Sequence, residues 1–229
     1  MTQPLRTDSD EIRNVFRAFL VGTFQPPESV SEAKECLAEL AELVRTLEVP
    51  VAGEAVAQIR TANPKYFVGS GKAEEIRDAA KDAGANVIVF DAALGPTQQR
   101  NLESLCEMKV IDRQEVILDI FARRARTREA TLQVDLARCR YFLPRLTGAW
   151  THLSRQRGGN TGARGAGEKQ IEYDRRQLKE RIAVLEDELA EVRKRRDVQR
   201  KSRMRARIPS AALAGYTNAG KSTLLNLLT

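Results

Sequence analysis

One histidine, His152, and three widely separated cysteines, Cys36, Cys106 and Cys139, are all that this 229-residue sequence offers for soft metal ligation. No two cysteines have CxxC spacing, which argues against a zinc site. An odd number of distant cysteines reads as reduced, buried thiols of a cytosolic protein. With a single histidine and no suitably spaced serine or cysteine partner, a nucleophilic triad is not supported. The many carboxylates fall mainly on amphipathic helix faces, where solvation accounts for them. No catalytic residue is therefore assigned within the chain. The opening stretch MTQPLRTDSDEIRN lacks the charged and apolar regions of a secretory signal. No apolar run approaches the roughly 18 residues of a membrane span. Together these absences predict a cytoplasmic protein.

What is present is enough for one or two cored domains, with 42% hydrophobic and 30% charged residues. Lysine and arginine total 38 against 31 aspartate and glutamate, a formal charge of +7, and the pI is near 9.5. That balance favours an anionic partner such as RNA, DNA or a membrane surface, the alternative being an ordinary basic soluble protein.

Three regions follow one another. The first alternates short apolar runs with amphipathic stretches, the pattern of an α/β layer. FRAFLVGTF, Phe16 to Phe24, reads as a strand stopped by Pro26 and Pro27. Ser29 then caps a helix with Ala33, Leu37, Leu40, Val44 and Leu47 on one face. Strands are expected at Val51 to Ile59, at KYFVG (Lys65 to Gly69), at NVIVFD (Asn86 to Asp91) and at KVID (Lys109 to Asp112). Helices are expected from about Ala73 to Ala83, closed by Gly84, and after Gly95 and Pro96 through Leu102 and Leu105. This order implies a mostly parallel sheet with helical crossovers.

The second region starts near EVILDIFARRA, Glu115 to Ala125, and is dominated by long helices. Leu132, Leu136, Cys139 and Leu143 form a stripe that ends at Pro144. A second helix from about Glu168 to Arg203 carries Ile171, Leu178, Leu185 and Val192 seven residues apart, with Ile182 and Leu189 between them. Arg175 and Arg196 interrupt that repeat, so the seam weakens toward both ends. An antiparallel coiled-coil projection is expected. Between its arms lies LTGAWTHLSRQRGGNTGARGAGEKQIEYDRR, Leu146 to Arg176, glycine-rich and carrying Arg155, Arg157, Arg164, Lys169, Arg175 and Arg176. Arginine forks suit phosphate oxygens and stack on bases, so this loop is a candidate RNA contact; the alternative is a solvated connector.

The third region holds GYTNAGKSTLLNLLT, Gly215 to Thr229. Gly215, Gly220, Lys221 and Ser222 satisfy GxxxxGK[ST] after the apolar run AALAG and before LLNLL. Such a loop turns successive amides toward phosphate oxygens at a helix N-terminus. Lys221 would reach the β- and γ-phosphates and the Ser222 hydroxyl would take one position on Mg²⁺, within a nucleotide-binding set of Gly215, Tyr216, Thr217, Asn218, Ala219, Gly220, Lys221, Ser222 and Thr223. The Gly71–Lys72 pair in YFVGSGKAEE lacks the first glycine and the hydroxyl, and reads as a strand-to-helix turn. The loop alone leaves the base open, GTP or ATP.

The motifs YFVGSGKAEE, GPTQQRNLE, VIDRQEVILDIFARRA, LQVDLARCRYFLPRL, LSRQRGG, RGAGEKQIEYDRR and GYTNAGKSTLLN, in this order, resemble the HflX family of ribosome-associated GTPases. The resemblance implies an N-terminal α/β subdomain (1–126), an antiparallel helical hairpin (127–207) with its basic loop at 146–168, and the start of a P-loop GTPase domain (208–229). It also implies GTP and GDP as ligands, Mg²⁺ with the nucleotide, and the large ribosomal subunit and its rRNA as partners. The hairpin loop, Leu153 to Glu168 here, would approach the rRNA, and the role would lie in ribosome splitting, rescue or biogenesis, acting as a monomer. Asn218 occupies the position where some related GTPases bind K⁺. Ala166 stands where the family often has proline, and Asn160 and Thr161 depart from its usual glycine and isoleucine. Because the family's later guanine and switch motifs are not in this sequence, a 229-residue chain is expected to bind RNA with little hydrolysis of its own. The competing reading is an RNA-binding module that acts without hydrolysis.

Overall fold

The computed structural model describes residues 16–146, 164–205, 211–215 and 219–228. Its packing divides the chain into two units, Met1–Asp187 and Glu188–Thr229.

The first unit is built on a four-stranded, entirely parallel sheet in the order β2-β1-β3-β4, formed by β1 (Ala18–Phe24), β2 (Val51–Gln58), β3 (Val87–Phe90) and β4 (Lys109–Asp112). Side chains alternate along the two central strands, so each feeds both faces. Phe19, Val21, Ile88 and Phe90 pack under α2 (Ser70–Asp82) and α3 (Pro96–Cys106). Ala18, Leu20, Val87 and Val89 pack under α1 (Val30–Thr46) and α4 (Arg113–Arg124). All four residues of β3 are buried, as expected of a strand covered on both faces.

Local sequence fixes the element ends. Ser29 and Glu32 form a reciprocal capping box at α1. Helix α2 ends at Ala83, and Gly84 follows with φ of +66°, a left-handed conformation that glycine adopts without strain. Helix α2 begins at Ser70, three residues before the expected Ala73.

The expected strand at Lys65 to Gly69 does not form. Asn63 and Phe67 exchange backbone hydrogen bonds of 2.8 and 2.9 Å across a tight loop. The Asn63 carboxamide accepts from the amides of Lys65 and Tyr66, and Phe67 turns to φ of +68°. The β-propensity of Tyr66, Phe67 and Val68 is overridden by an asparagine-centred turn, which the Asn-Pro pair at Asn63 and Pro64 could have signalled.

Helix α5 (Arg128–Phe142) packs on α4 and stops where Pro144 was expected to break it, in a 3₁₀ turn at Leu143–Arg145. Of its stripe, Leu132 is buried and Leu136, Cys139 and Leu143 are half-buried. Helix α6 runs from Arg164 to Arg205, longer at both ends than expected. Within the first unit Leu185 is fully buried, Ile171, Leu178 and Ile182 are half-buried, and Arg175 is exposed. Ion pairs Arg140–Glu186 and Arg181–Asp135 tie α5 to α6.

In the second unit the described end of α6 is a solvated, strongly basic helix, with Arg195 paired to Glu191. Residues 211–215 form no helix or strand and have no ladder partner among the described residues, and α7 spans Lys221–Leu228. Leu213, Leu224, Leu225, Leu227 and Leu228 are exposed, so within this unit the apolar character of both segments is not used for burial.

Candidate functional site

The phosphate loop is described at its two ends. Gly215 lies at one, Ala219 and Gly220 at the other, and Lys221, Ser222 and Thr223 open α7. Tyr216, Thr217 and Asn218 lie outside the described residues, and with them the suggested K⁺ position. Gly220 has φ of +74° with open space where a Cβ would stand. A side chain there would be opposed by backbone conformation rather than by crowding. The bend turns the chain directly into the first helical bond, Leu224 amide to Gly220 carbonyl at 2.9 Å.

Lys221 Nζ donates to the Gly215 carbonyl at 2.7 Å, which folds the lysine back over the loop. Ala219 to Thr223 line a concavity of about 280 Å³. No acidic residue occupies the first turn of α7, so the positive end of the helix faces no carboxylate from its own first turn. Left-handed glycine, helix N-terminus, ammonium and an exposed Ser222 hydroxyl together form a donor set fitted to phosphate oxygens. The same hydroxyl is the described group suited to Mg²⁺. Among the described residues no cluster of three or more His, Cys, Asp or Glu side chains could hold a metal.

The candidate RNA residues are less completely placed. Arg155 and Arg157 lie outside the described residues, and Arg164 and Lys169 are described only as backbone at the start of α6. Arg175 and Arg176 are exposed on the same helix, Arg176 lying 5.6 Å over the Tyr173 ring and 4.0 Å from Glu180. Trp150 and His152 also fall outside the described residues.

Sequence reading missed the polar cluster that holds the chain just before the basic loop. Asp112, fully buried at the end of β4, caps α4 by accepting from the Glu115 amide at 2.9 Å. It also accepts from the Tyr141 hydroxyl at 2.9 Å, the Leu94 amide at 3.2 Å and the Arg145 guanidinium at 3.3 Å. Arg145 stacks 3.6 Å over the Tyr141 ring and donates to Gln99 Oε1 and the Leu94 carbonyl. Burial, then the neighbouring Glu115 and Asp112 carboxylates, push the Tyr141 hydroxyl well above its ordinary range, so it remains a donor. The capping spacing of Asp112 and Glu115 was legible in the sequence; their meeting with Tyr141 and Arg145 depends on how α5 returns along α4.

No helix among the described residues is long and apolar enough to cross a membrane. Comparison with known proteins agrees with the architecture. Residues 34–122 match a family described as GTP-binding GTPase N-terminal, and residues 124–203 match GTP-binding GTPase Middle Region. The GTPase HflX of Escherichia coli is 52% identical over 195 residues, covering 85% of this chain and 46% of that protein. The GTPase HflX of Akkermansia muciniphila is 50% identical over 221 residues, covering 93% of this chain and 51% of that protein. The chain thus spans about half the length of the curated relatives it matches. A crystal structure of a GTP-binding protein from Sulfolobus solfataricus in complex with GDP superposes with a TM-score of 0.52 at 24% identity, covering 94% of this chain and 53% of that one, a likeness of fold. Two consecutive family regions and close relatives over most of its length show that the chain belongs to the HflX family of GTP-binding proteins.

Proposed function

We propose that the chain is part of a GTPase that binds GTP with Mg²⁺ at Gly215–Thr223 and engages the large ribosomal subunit through the basic loop between α5 and α6. The units carrying this are an α/β subdomain at 1–126, a helical hairpin at 127–207 that projects as a coiled coil, and the beginning of the nucleotide domain at 208–229. The observation that carries the nucleotide half is the Gly220–Lys221 turn, where a left-handed glycine brings the ammonium and the helix N-terminus to one concavity. With a nucleotide bound, Lys221 would exchange the Gly215 carbonyl for phosphate oxygens, and the Ser222 hydroxyl would help hold Mg²⁺, which would supply charge neutralisation. Hydrolysis to GDP and phosphate is assigned to the complete protein; the described residues that line the concavity are Ala219 to Thr223. What supports the RNA half is the clustering of Arg155, Arg157, Arg164, Lys169, Arg175 and Arg176 around one glycine-rich segment in a chain of net charge +7.

Equilibrium titration with labelled GTP and ATP in the presence of Mg²⁺ tests the first half. Lys221→Ala is expected to weaken GTP binding at least tenfold; unchanged binding would reject the site. Co-sedimentation with large subunits tests the second. Replacing Arg155, Arg157 and Arg164 by alanine is expected to weaken association and flatten its salt dependence, whereas unchanged sedimentation would favour the connector reading.

A further inference from the structure

The junction between α4 and α5 carries four arginines in six residues, Arg123, Arg124, Arg126 and Arg128, beside the exposed Phe121. This position is remote from the 3₁₀ turn at Leu143–Arg145. Helix α4 leaves the C-terminal end of β4 and runs back along the sheet, so its last turn lies at the opposite end of the layer from Asp112 and Arg145. Arg123 confirms the placement by donating to the Leu47 carbonyl at the end of α1. The 15-residue α5 then separates the junction from the 3₁₀ turn by about 22 Å.

Burial does not explain the aromatic ring. Val116 and Ile120 form the buried face of α4, and Phe121 points away from it at 57% exposure, the largest value for any bulky apolar side chain described in the first unit. Phe121 and Arg124 are three residues apart on one helix face, so ring and guanidinium are neighbours. Nor are the charges consumed internally: neither Arg124 nor Arg126 meets a carboxylate among the described residues. Nearby acids are engaged elsewhere, Asp119 by Arg138 at 3.4 Å and Glu129 Oε1 by the Gln133 amide at 3.3 Å.

We infer that Phe121, Arg124 and Arg126 form a second RNA-contacting surface, at which guanidinium forks take backbone phosphates and the ring stacks on an unpaired base. An all-arginine patch with a flat aromatic at its centre matches single-stranded RNA better than a lipid surface, because forks and a stacking platform serve phosphodiester and base together. The inference rests on the reading that RNA is the partner and adds a contact site on the far end of the α/β layer.

The test is fluorescence titration of the full chain with a labelled 24-nucleotide single-stranded RNA over a series of salt concentrations. Arg124→Gln/Arg126→Gln is expected to weaken binding at least tenfold and to lower the slope of log K against log salt by about 1.4, roughly 0.7 per arginine on a single strand. Phe121→Ala is expected to weaken binding about tenfold with the slope unchanged, and Phe121→Trp to restore it. Thermal melts of these exposed-site variants should match the parent, which keeps folding out of the comparison. If either the arginine pair or Phe121→Ala binds within twofold of the parent, the proposal fails. Parent-like RNA binding with loss of binding to phosphatidylglycerol vesicles would assign the patch to a membrane surface and also overturn it. The Arg155, Arg157 and Arg164 triple alanine variant, run in parallel, separates the two readings. If it alone is weakened, the second surface is wrong and the RNA reading stands; if the parent does not bind RNA, both fall.

Discussion

At the scale of single residues the structure separates thiols that composition treated alike. Cys106 is fully buried, and desolvation pushes its thiol up to about 11, whereas Cys36 is exposed on α1. Alkylation of the native chain at pH 8 should label Cys36 first and Cys106 only on unfolding, as peptide mass mapping would show; early labelling of Cys106 would contradict the packing of the end of α3 in the core. The raised thiol also sets a pH dependence. Between about pH 9 and 11 the unfolded thiolate forms while the native thiol stays protonated, so stability present below pH 9 is lost as pH rises through that window. Part of that alkaline loss should vanish in Cys106→Ala, measured as the change in melting temperature between pH 8 and pH 10.5. Tyr141→Phe removes one donor from the buried Asp112 and is expected to cost about 1–3 kcal/mol by denaturant titration.

At the scale of elements, the parts legible in the sequence are those that local chemistry decides. The capping box at Ser29, the proline stop after β1, the glycine closing α2 and the apolar run of β3 each specify their element without reference to distant chain. The 65–69 segment was misread because side-chain composition favoured a strand while Asn63 organised a turn. The network around Asp112 was invisible for a different reason: its members come from β4, α3, α4 and the end of α5, and only tertiary packing brings them together. Strand β2 shows the same limit. Its Gly53 looks like a weak point in a strand, yet a Cβ there would stand 3.0 Å from the Phe19 ring. Gly53→Val is expected to destabilise the sheet by about 1–3 kcal/mol, seen as a lowered urea midpoint with an unchanged m value.

At the scale of the whole molecule, the alternation of strands and helices was sufficient to expect a parallel sheet, but the strand order required the structure. Placing β1 between β2 and β3 makes the second crossover pass to the other side of the first strand, and this sends the helices to both faces. The phosphate loop was fully legible as a motif. The lack of packing partners for its flanking segments was legible too: Leu213, Leu224, Leu225, Leu227 and Leu228 are exposed within their unit. The net charge of +7 was equally plain, as was the group of arginines around the glycine-rich segment; the exposure of Arg124 and Arg126 beside Phe121 at the α4–α5 junction emerged only from the fold.

The cluster around Asp112 also decides how force passes through the first unit. The 3₁₀ turn at Leu143–Arg145 sits where a flexible joint would be convenient, immediately before the glycine-rich segment. Swinging the chain at that point would strip a completely buried carboxylate of its guanidinium and phenol donors and lift Arg145 off Gln99 and Leu94. A tug on the chain beyond Leu146 is therefore delivered to the end of β4 and the start of α3 rather than absorbed locally. The turn works as a bracket.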